Sequence, residues 1–296
     1  MIIVIIGPTG IGKTKLSIAL AKRYNAEIIS GDSVQVYKRL DIGSSKITDT
    51  EKEGITHHLI DILEPDEDFS VAIFQKMVRE KIKEIESIGK TPIIVGGTGL
   101  YIKSVLYDYN FTNTSRDDSL VEKYKDLSNE ILHSILQEKD YESSLVIHPN
   151  NRKRVLQAIS RAATNKVSNN KNKNVLLYNA IFIGLRMERN ELYELINTRV
   201  DKMIQNGLLK EVVHLHKEDI NSNSVNSIGY KELYKYLNGE YEFDYAVDKI
   251  KQHSRNLAKK QYTFFNNQFD VNWIDVDIND FDKIIDKAVE IIEKLI

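Results

Sequence analysis

The chain has 296 residues, 42% of them hydrophobic and 28% charged, which is typical of a globular protein with a sizeable core. It has no cysteine, which excludes disulfides, zinc–thiolate sites and cysteine nucleophiles and fits the cytoplasmic location that we expect. A net charge of −2 gives no overall nucleic-acid signature, so nucleic-acid binding would depend on local basic patches. The apolar run Met1 to Ile6 is too short for a membrane span, and we expect no membrane association.

The first third of the chain alternates strand and helix patterns. Ile2 to Ile6 is uninterrupted β-branched sequence, typical of a parallel strand that is buried on both faces. The elements predicted after it are the helix Lys13 to Tyr24, the strand Glu27 to Ser30, the helix Val71 to Ile88 and the strand Ile93 to Val95. This alternation predicts an α/β fold with a parallel sheet, whose ligand site lies at the carboxyl ends of the strands.

A helical insertion interrupts this pattern. From about Asp117 the pattern is helical, and the next strand signal is Ala180 to Leu185. We therefore predict an insertion domain over residues 116–174, ending in the Asn/Lys-rich run Asn165 to Asn174, and a core domain of residues 1–115 and 175–296. The remaining patterns predict helices over about 189–217, 228–237 and 243–266, a strand from Trp273 to Val276 and a terminal helix.

A glycine-rich loop follows the first strand and matches the pattern G-x-x-x-x-G-K-[ST]. Its residues are Gly7, Pro8, Thr9, Gly10, Ile11, Gly12, Lys13 and Thr14. In such a P-loop, backbone N–H groups at a helix N-terminus converge on phosphate oxygens, the lysine neutralises the same oxygens and the hydroxyl binds Mg²⁺. We therefore expect Thr14 to be a magnesium ligand. The motif alone suggests ATP, although the fold also hosts other phosphate chemistry.

Asp32 follows the second predicted strand, where its carboxylate would face the same crevice. It could accept a proton from a nucleophile or help to hold a metal through water. Asp32 and Ser33 could equally form a helix N-cap, and the motif leaves both interpretations open.

The loop after the third strand, Gly96-Gly97-Thr98-Gly99, would let backbone approach a ligand closely, with the Thr98 hydroxyl as a donor. A tight strand-to-helix turn would also require these glycines. His57 and His58 are adjacent on an extended segment and point to opposite faces, so packing or hydrogen bonding is the better interpretation than a shared metal.

Two basic segments are candidates for nucleic-acid binding. Lys251, Arg255, Lys259 and Tyr262 recur at helical spacing on one predicted helix, although a solvated face would have the same pattern. The segment Arg152 to Arg154 opens a helix after Pro149, where cations oppose the helix dipole. An external anion there would offset that cost.

These segments together resemble the tRNA dimethylallyltransferases, and the similarity is spread over most of the chain. Beside the P-loop, the matching segments are Ile29 to Tyr37, Asp41-Ile-Gly43, His57 to Asp61, Val95 to Tyr101, Ile147 to Asn151 with Arg154, Ile196 to Asp201, Ser227 to Glu232 and Leu257 to Gln261. The P-loop alone would not identify the family. Asp32-Ser33, the Gly-Gly-Thr-Gly-Leu-Tyr loop and Ile-Gly-Tyr-Lys-Glu in this order nearly do.

The resemblance implies a P-loop that holds the diphosphate of dimethylallyl diphosphate, with Mg²⁺, instead of ATP. The implied acceptor is the N6 amine of the adenosine immediately 3′ of the anticodon in tRNA. Asp32 would be the general base, Arg199 a second cation on the leaving pyrophosphate, and Thr98 would lie near the acceptor. Stabilising the leaving group is the main task in such an allylic transfer.

The resemblance also implies residues that contact the tRNA anticodon stem-loop. They are Asp32, Ser33, Val34, Gln35, Lys153, Arg154, Val155, Leu156, Gln157, Arg255, Lys259 and Lys260. The target base would be flipped into the pocket, where Gln35 and Tyr37 would contact it. The chain departs from the family at Gln157 and Val121, where arginine is usual, and at Phe264, where tryptophan is frequent. We expect the protein to act as a monomer.

Three alternatives remain at this point. An adenylate isopentenyltransferase would not need the insertion or the basic helix, and a small-molecule kinase should have an arginine-bearing lid that the sequence does not reveal. A nucleotide-dependent switch or RNA-binding module without transfer chemistry should not need Asp32.

Overall fold

The computed structural model describes residues 1–109, 123–163 and 174–296. Its sheet has six strands in the order β3-β2-β4-β1-β5-β6, and every neighbouring pair is parallel. The strands are β1 (Ile2–Ile6), β2 (Ala26–Ser30), β3 (His57–His58), β4 (Thr91–Gly96), β5 (Ala180–Arg186) and β6 (Asn272–Asp275). The predicted fold class, a parallel α/β sheet flanked by helices, is confirmed.

The helices of the described residues number twelve. They are α1 (Lys13–Arg23), α2 (Asp49–Lys52), α3 (Val71–Ser87), α4 (Gly99–Leu106), α5 (Asn129–Lys139), α6 (Tyr141–Val146), α7 (Arg152–Ala163), α8 (Arg189–Gln205), α9 (Leu208–Lys217), α10 (Tyr230–Leu237), α11 (Phe243–Gln268) and α12 (Phe281–Leu295). Within the described ranges, no helix is both long enough and apolar enough to cross a membrane.

The single helix predicted over 189–217 is wrong, because α8 and α9 are separate. Gly207 adopts φ 101° and is the N-cap of α9. A residue in the left-handed backbone conformation cannot continue a right-handed helix, and glycine adopts that conformation at little cost. The hydrophobic spacing continues through the break, which is why the pattern suggested one element.

The centre of the core lies on the two faces of β1. Ile2, Val4 and Ile6 pack into one hydrophobic cluster, and Ile3 and Ile5 pack into another on the opposite face. All five residues are buried, as expected for a central parallel strand covered by helices on both sides. The P-loop therefore emerges from one of the most rigidly packed elements of the sheet.

The chain divides into two compact units, one of residues Met1–Tyr107 and Leu176–Ile296 and the other of residues Asp108–Val175. The described part of the second unit consists of helices α5, α6 and α7. Its core is small, with Leu132, Leu136, Val155, Ala158 and Ile159 buried together.

The predicted insertion of residues 116–174 falls within this second unit. Three of the sequence features noted for it lie outside the described residues. They are the change of pattern at Asp117, the departure at Val121 and most of the Asn/Lys-rich run from Asn165. Its exact boundaries therefore stay a prediction.

Arg152 opens α7 but does not need an external anion, so that expectation is wrong for this residue. Its guanidinium donates hydrogen bonds to the carbonyl oxygens of Leu127 at 2.6 Å, Lys125 at 2.7 Å and Tyr124 at 2.8 Å. These carbonyl dipoles offset the unfavourable placement of a cation at a helix N-terminus. Arg152 thereby fixes the start of α7 to the segment before α5.

Glu27 on β2 is a carboxylate that is almost fully buried beside the Lys90 ammonium group and the His58 imidazole. It accepts a hydrogen bond from Lys90 Nζ at 2.8 Å and lies 2.6 Å from His58 Nε2. Burial acts to raise the pKa of Glu27, but the hydrogen bonds from Lys90 and His58 outweigh burial and hold that pKa below its ordinary value. Ionised Glu27 therefore stabilises the edge of the sheet.

We expect Glu27→Gln to lower the free energy of unfolding by about 1–3 kcal/mol at pH 7, because a charged, buried acceptor is lost. Since the folded pKa of Glu27 is lowered, the stabilisation is present above the unfolded pKa near 4.5 and is lost as pH falls below it. Urea unfolding at pH 7 and below pH 4 measures both effects.

The matched control is Glu53→Gln, which removes a pair with Lys22 whose side chains are about half exposed. That variant should change stability by about 0.5 kcal/mol or less. Equal losses in the two variants at pH 7 would contradict the role given to Glu27.

Candidate active site

The site lies where β1, β2 and β4 end, since neighbouring parallel strands place their carboxyl ends at one edge of the sheet. The loop after β2 touches the end of β4 directly. Gly31 N donates to Val95 O at 2.7 Å, and a Cβ on Gly96 would lie only 2.4 Å from Gly31 O. Glycine is required at position 96 because any side chain would push the loop after β2 away from the end of β4.

The P-loop has the geometry of an anion site. Gly10 and Gly12 have φ of 83° and 99°, values that favour glycine, and Gly12 is the N-cap of α1. A Cβ on Gly12 would lie 2.6 Å from the Phe281 ring, which closes one side of the loop. The first turn of α1 contains no acidic residue, so the positive end of the helix is available to a phosphate group.

Two cations converge on this loop. Lys13 Nζ donates to Pro8 O at 2.6 Å, and Arg199 of α8 donates from Nη1 to Thr9 Oγ1 at 2.7 Å. Burial and repulsion from the Arg199 guanidinium lower the pKa of Lys13 to about 7, and attraction to Asp32 only partly opposes them. Burial also lowers the pKa of Arg199. The two cations are thus close enough to oppose each other's charge, which an anionic ligand would relieve.

A loop between β2 and α2 orients Arg199. Arg199 Nε donates to Ser45 Oγ at 3.0 Å. The Glu211 carboxylate holds the preceding backbone by accepting the N–H groups of three successive residues, Asp41, Ile42 and Gly43, at 3.0, 2.8 and 3.1 Å. The α9 helix therefore fixes the loop that contacts Arg199.

Tyr230 completes this support. Its hydroxyl donates to Glu211 Oε1 at 2.6 Å, and its ring fills the space beside Gly43, where a Cβ would lie 2.4 Å away. Burial and the neighbouring Glu211 carboxylate raise the pKa of Tyr230, so the phenol stays protonated and remains a donor.

Asp32 lines the same cavity as Lys13 and Arg199. Its Oδ1 accepts the Val34 N–H at 2.8 Å, and residues 33–37 form a turn instead of a helix. The helix N-cap interpretation is therefore wrong. The turn fixes the carboxylate beside the two cations, in a position where it can accept a proton from a ligand.

The cavity walls combine polar and apolar surfaces. The polar part includes Thr9, Gly10, Gly12, Lys13, Thr14 and Arg199, and the apolar part consists of Ile28, Ile47, Ile60 and Val95. A ligand with an anionic head and a small apolar group matches this lining. Thr98 is the N-cap of α4, one residue beyond the cavity-lining Gly97, and it is not among the lining residues.

Two expectations about residues that would contact the target base can be compared with the structure. Gln35 lines the cavity, but its amide is bonded within the protein, to Ser30 Oγ at 3.1 Å and to the Ser44 and Ser45 carbonyls. Tyr37 is buried against Phe69 and does not line the cavity, so a contact with a flipped base is wrong for this residue.

The two adjacent histidines face different surroundings, as expected, and each makes a hydrogen bond. His58 contacts Glu27, while His57 lines the cavity with its Nδ1 2.9 Å from Ile55 O. Within the described residues no three Asp, Glu or His side chains are grouped as a metal site. Thr14 and Asp32 nevertheless share the cavity, and two such oxygen groups fit Mg²⁺ that is held mainly by a ligand's phosphates and water.

The predicted contacts in the insertion differ in exposure. Lys153, Arg154 and Gln157 are exposed on α7, but Val155 is fully buried in the core of its unit and Leu156 packs against that core. A tRNA contact by the Val155 side chain is therefore wrong. The buried face of α7 follows from its packing against α5.

Two members of the predicted basic stripe on α11, Lys251 and Arg255, are paired within the protein. Lys251 forms an ion pair with Asp201 at 2.6 Å, and Arg255 donates to Asn197 Oδ1 and lies over the Tyr193 ring. Lys259 and Lys260 are exposed. Tyr262, placed at the end of the stripe, instead accepts the Met187 N–H at 3.1 Å and packs against Trp273.

Sequence reasoning missed Ser45 and Gln261 as site residues. Both line the cavity. The signals present in the sequence were their positions, directly after Asp41-Ile-Gly43 and at the end of Leu257-Ala-Lys-Lys-Gln261. Phe264 lies one helical turn beyond Gln261. Its ring packs against Gly99, where an added Cβ would lie only 2.3 Å from the ring atom Cδ1.

Comparison with known proteins identifies the family of this site. The family model described as IPP transferase matches residues 35–268. The chain belongs to the IPP transferase family. The matched range includes Gln35, the Gly96–Gly99 loop, Arg199 and Gln261. The P-loop and Asp32 precede it.

Relatives and solved structures agree with this assignment. A tRNA dimethylallyltransferase of Bacillus licheniformis is 51% identical, over 93% of this chain and 90% of its own length, and that of Bacillus subtilis is 49% identical over the same shares. The crystal structure of a tRNA isopentenylpyrophosphate transferase from Staphylococcus epidermidis is 45% identical with a TM-score of 0.76, covering 99% of this chain and 98% of its own. A eukaryotic dimethylallyltransferase acting on tRNA is 26% identical with a TM-score of 0.83, covering 97% of this chain and 77% of its own.

The lowered pKa of Lys13 predicts how affinity for an anion depends on pH. With a pKa of about 7, Lys13 loses its proton as pH rises above 7, and binding of pyrophosphate then requires proton uptake. We expect the affinity to fall by about tenfold per pH unit above 7. Calorimetric titration with pyrophosphate and Mg²⁺ from pH 6 to 9 measures this.

Lys13→Arg is the matched control, because arginine keeps its charge over this range and the ligand ionises identically in both experiments. The steep fall in affinity should be absent from that variant. The same pH profile in both proteins would show that Lys13 does not carry the dependence.

Proposed function

We propose that this enzyme is a tRNA dimethylallyltransferase that moves the dimethylallyl group of dimethylallyl diphosphate to N6 of the adenosine immediately 3′ of the anticodon. The observation that carries this proposal is one cavity in which the two buried cations, Lys13 and Arg199, meet the Asp32 carboxylate beside apolar walls. The cations match a diphosphate, the apolar walls match a five-carbon chain, and the carboxylate matches an amine that must lose a proton.

The leaving group is the first part of the mechanism. As the bond between C1 of the allyl group and the diphosphate oxygen breaks, its electron pair leaves with pyrophosphate. Lys13, Arg199 and the N–H groups at the start of α1 stabilise the negative charge that develops there. Mg²⁺ bound by the Thr14 hydroxyl and the diphosphate would supply further charge neutralisation.

Asp32 acts on the nucleophile. The N6 lone pair forms the new bond to C1, and the nitrogen then loses one proton to the carboxylate. An exocyclic amine is weakly basic because its lone pair is shared with the ring, so orientation and proton removal by a fixed carboxylate contribute about 10²–10⁴-fold to the rate. The hydrogen bond from Val34 N–H holds Asp32 in that orientation.

Recognition of tRNA is the part of the proposal that the names of the relatives support, since each name includes tRNA. In each unit, exposed cations would bind phosphates of the anticodon stem-loop: Lys153 and Arg154 in one, and Lys259 and Lys260 in the other. The target base would be flipped toward the cavity from a loop in which it is unpaired, so extrusion is inexpensive. Thr98 would lie near the acceptor, and the enzyme would work as a monomer.

The proposal is tested by incubating the protein with radiolabelled dimethylallyl diphosphate, Mg²⁺ and either tRNA or AMP. We expect label in tRNA, at the adenosine 3′ of the anticodon, and none in AMP. Label in AMP alone, or phosphate transfer from ATP in a parallel reaction, would contradict it.

Asp32→Asn keeps the size of the side chain and an acceptor for Val34 N–H but removes the base. We expect this variant to lower the single-turnover rate by at least about 10²-fold while tRNA affinity stays within a few-fold. Asp49→Asn, on the exposed helix α2, is the control and should react at the wild-type rate. An unchanged rate for Asp32→Asn would remove Asp32 from the chemistry.

A further inference from the structure

Gln261 on α11 is a buried amide that the mechanism above does not use. Its side chain is among those lining the cavity of Lys13 and Asp32, and the residue is only 9% exposed. Its Nε2 donates to Gly97 O at 3.0 Å. Its Oε1 is buried without any hydrogen-bond partner in the described parts of the protein.

The orientation of this amide is determined by its neighbour. A backbone carbonyl can only accept a hydrogen bond, so the NH₂ group of Gln261 must face Gly97 O and the Oε1 atom must point elsewhere. The contact is close, because a Cβ on Gly97 would lie 2.3 Å from Nε2. Glycine at position 97 therefore allows the amide to reach the loop, and the unpaired atom is fixed as an acceptor.

An unpaired buried acceptor is costly, about 1–3 kcal/mol, and calls for a donor on the ligand. Gly97 directly follows β4, and the loop that carries Asp32 contacts the end of β4 through the hydrogen bond from Gly31 N to Val95 O at 2.7 Å. Asp32 and Gly97, the partner of Gln261, thus lie at adjacent strand ends and line one cavity with Gln261. Lys13 and Arg199 are donors in the same cavity, but their hydrogen bonds go to Pro8 O, Ser45 Oγ and Thr9 Oγ1 instead of Oε1.

We propose that Gln261 Oε1 accepts a hydrogen bond from the exocyclic amine of the target base and selects adenine against bases with oxygen at that position. This inference rests on the proposed function. Of the groups that enter the cavity, the diphosphate presents acceptors and the dimethylallyl chain presents neither donors nor acceptors. The N6 amine has two N–H groups, one for Asp32 and one for Gln261.

The two N–H groups have different fates. The proton directed at Asp32 is transferred to the carboxylate when the bond from N6 to C1 forms. The proton directed at Gln261 stays on N6 in the product, so this hydrogen bond is kept throughout the reaction. A base with a carbonyl oxygen at C6 would place that oxygen against Oε1, and two facing acceptors repel each other.

The test measures binding of three anticodon stem-loops that carry adenosine, purine riboside or inosine at the target position. Purine riboside lacks the amine, and inosine has oxygen in its place. The wild-type protein should bind the adenosine RNA at least tenfold more tightly than the purine RNA. Gln261→Met, which keeps length and apolar packing without polar atoms, should reduce this preference by about tenfold.

Affinity for pyrophosphate and the melting temperature serve as controls for the Met variant, because the hydrogen bond of Gln261 goes to Gly97 O and not to a P-loop residue. A purely structural role would change stability but not the ratio of affinities for the adenosine and purine RNAs. An unchanged ratio in Gln261→Met overturns the assignment.

A second measurement uses only the wild-type protein and stays decisive if the Met variant does not fold. The inosine RNA should bind more weakly than the purine RNA, and equal affinities overturn the inference. Its failure is distinguishable from failure of the proposed function. Prenylation of the adenosine RNA with an unchanged ratio contradicts Gln261 alone, whereas the absence of prenylation contradicts the function.

Discussion

Two buried cations beside a single carboxylate are the constraint on which the site depends. Burial lowers the pKa of both Lys13 and Arg199, and repulsion from the Arg199 guanidinium lowers the pKa of Lys13 further. Such an arrangement is unfavourable in the empty protein and favourable only with an anion between the cations. The packing of the β1 core and the residues that hold Arg199 keep the two cations in place despite this unfavourable energy.

Those supports connect distant parts of the chain. Arg199 depends on Ser45, the loop around Ser45 depends on Glu211, and Glu211 is held by Tyr230. The helices after β5 are therefore as much a part of the proposed phosphate site as the P-loop itself. A change at Tyr230 would reach Arg199 through three hydrogen-bonded contacts without touching it.

Local sequence was sufficient for five of the six strands, the P-loop and the position of Asp32, whereas β3 (His57–His58) was expected only as an extended segment. The reason is that an apolar strand, a glycine loop and a helix are encoded in adjacent residues, and parallel strands bring their loops to one edge. The resemblance added Arg199, whose distance in sequence from the P-loop gives no local signal.

Other features depended on packing that a single sequence does not reveal. Val155 lies in a basic segment but faces the α5 helix, and Tyr37 lies near the site but faces Phe69. Gly207 breaks a continuous hydrophobic pattern. Gln261 was missed as a site residue because its partner, Gly97, is 164 residues away, and only the folded chain leaves its Oε1 unpaired.

A crystal structure with the thiolo analogue of dimethylallyl diphosphate and Mg²⁺ tests the central claim most directly. The account predicts that Lys13 Nζ leaves Pro8 O for the phosphate oxygens, that Arg199 contacts the same group, and that the allyl C1 faces Asp32. A diphosphate bound elsewhere, with Lys13 still on Pro8 O, would contradict it.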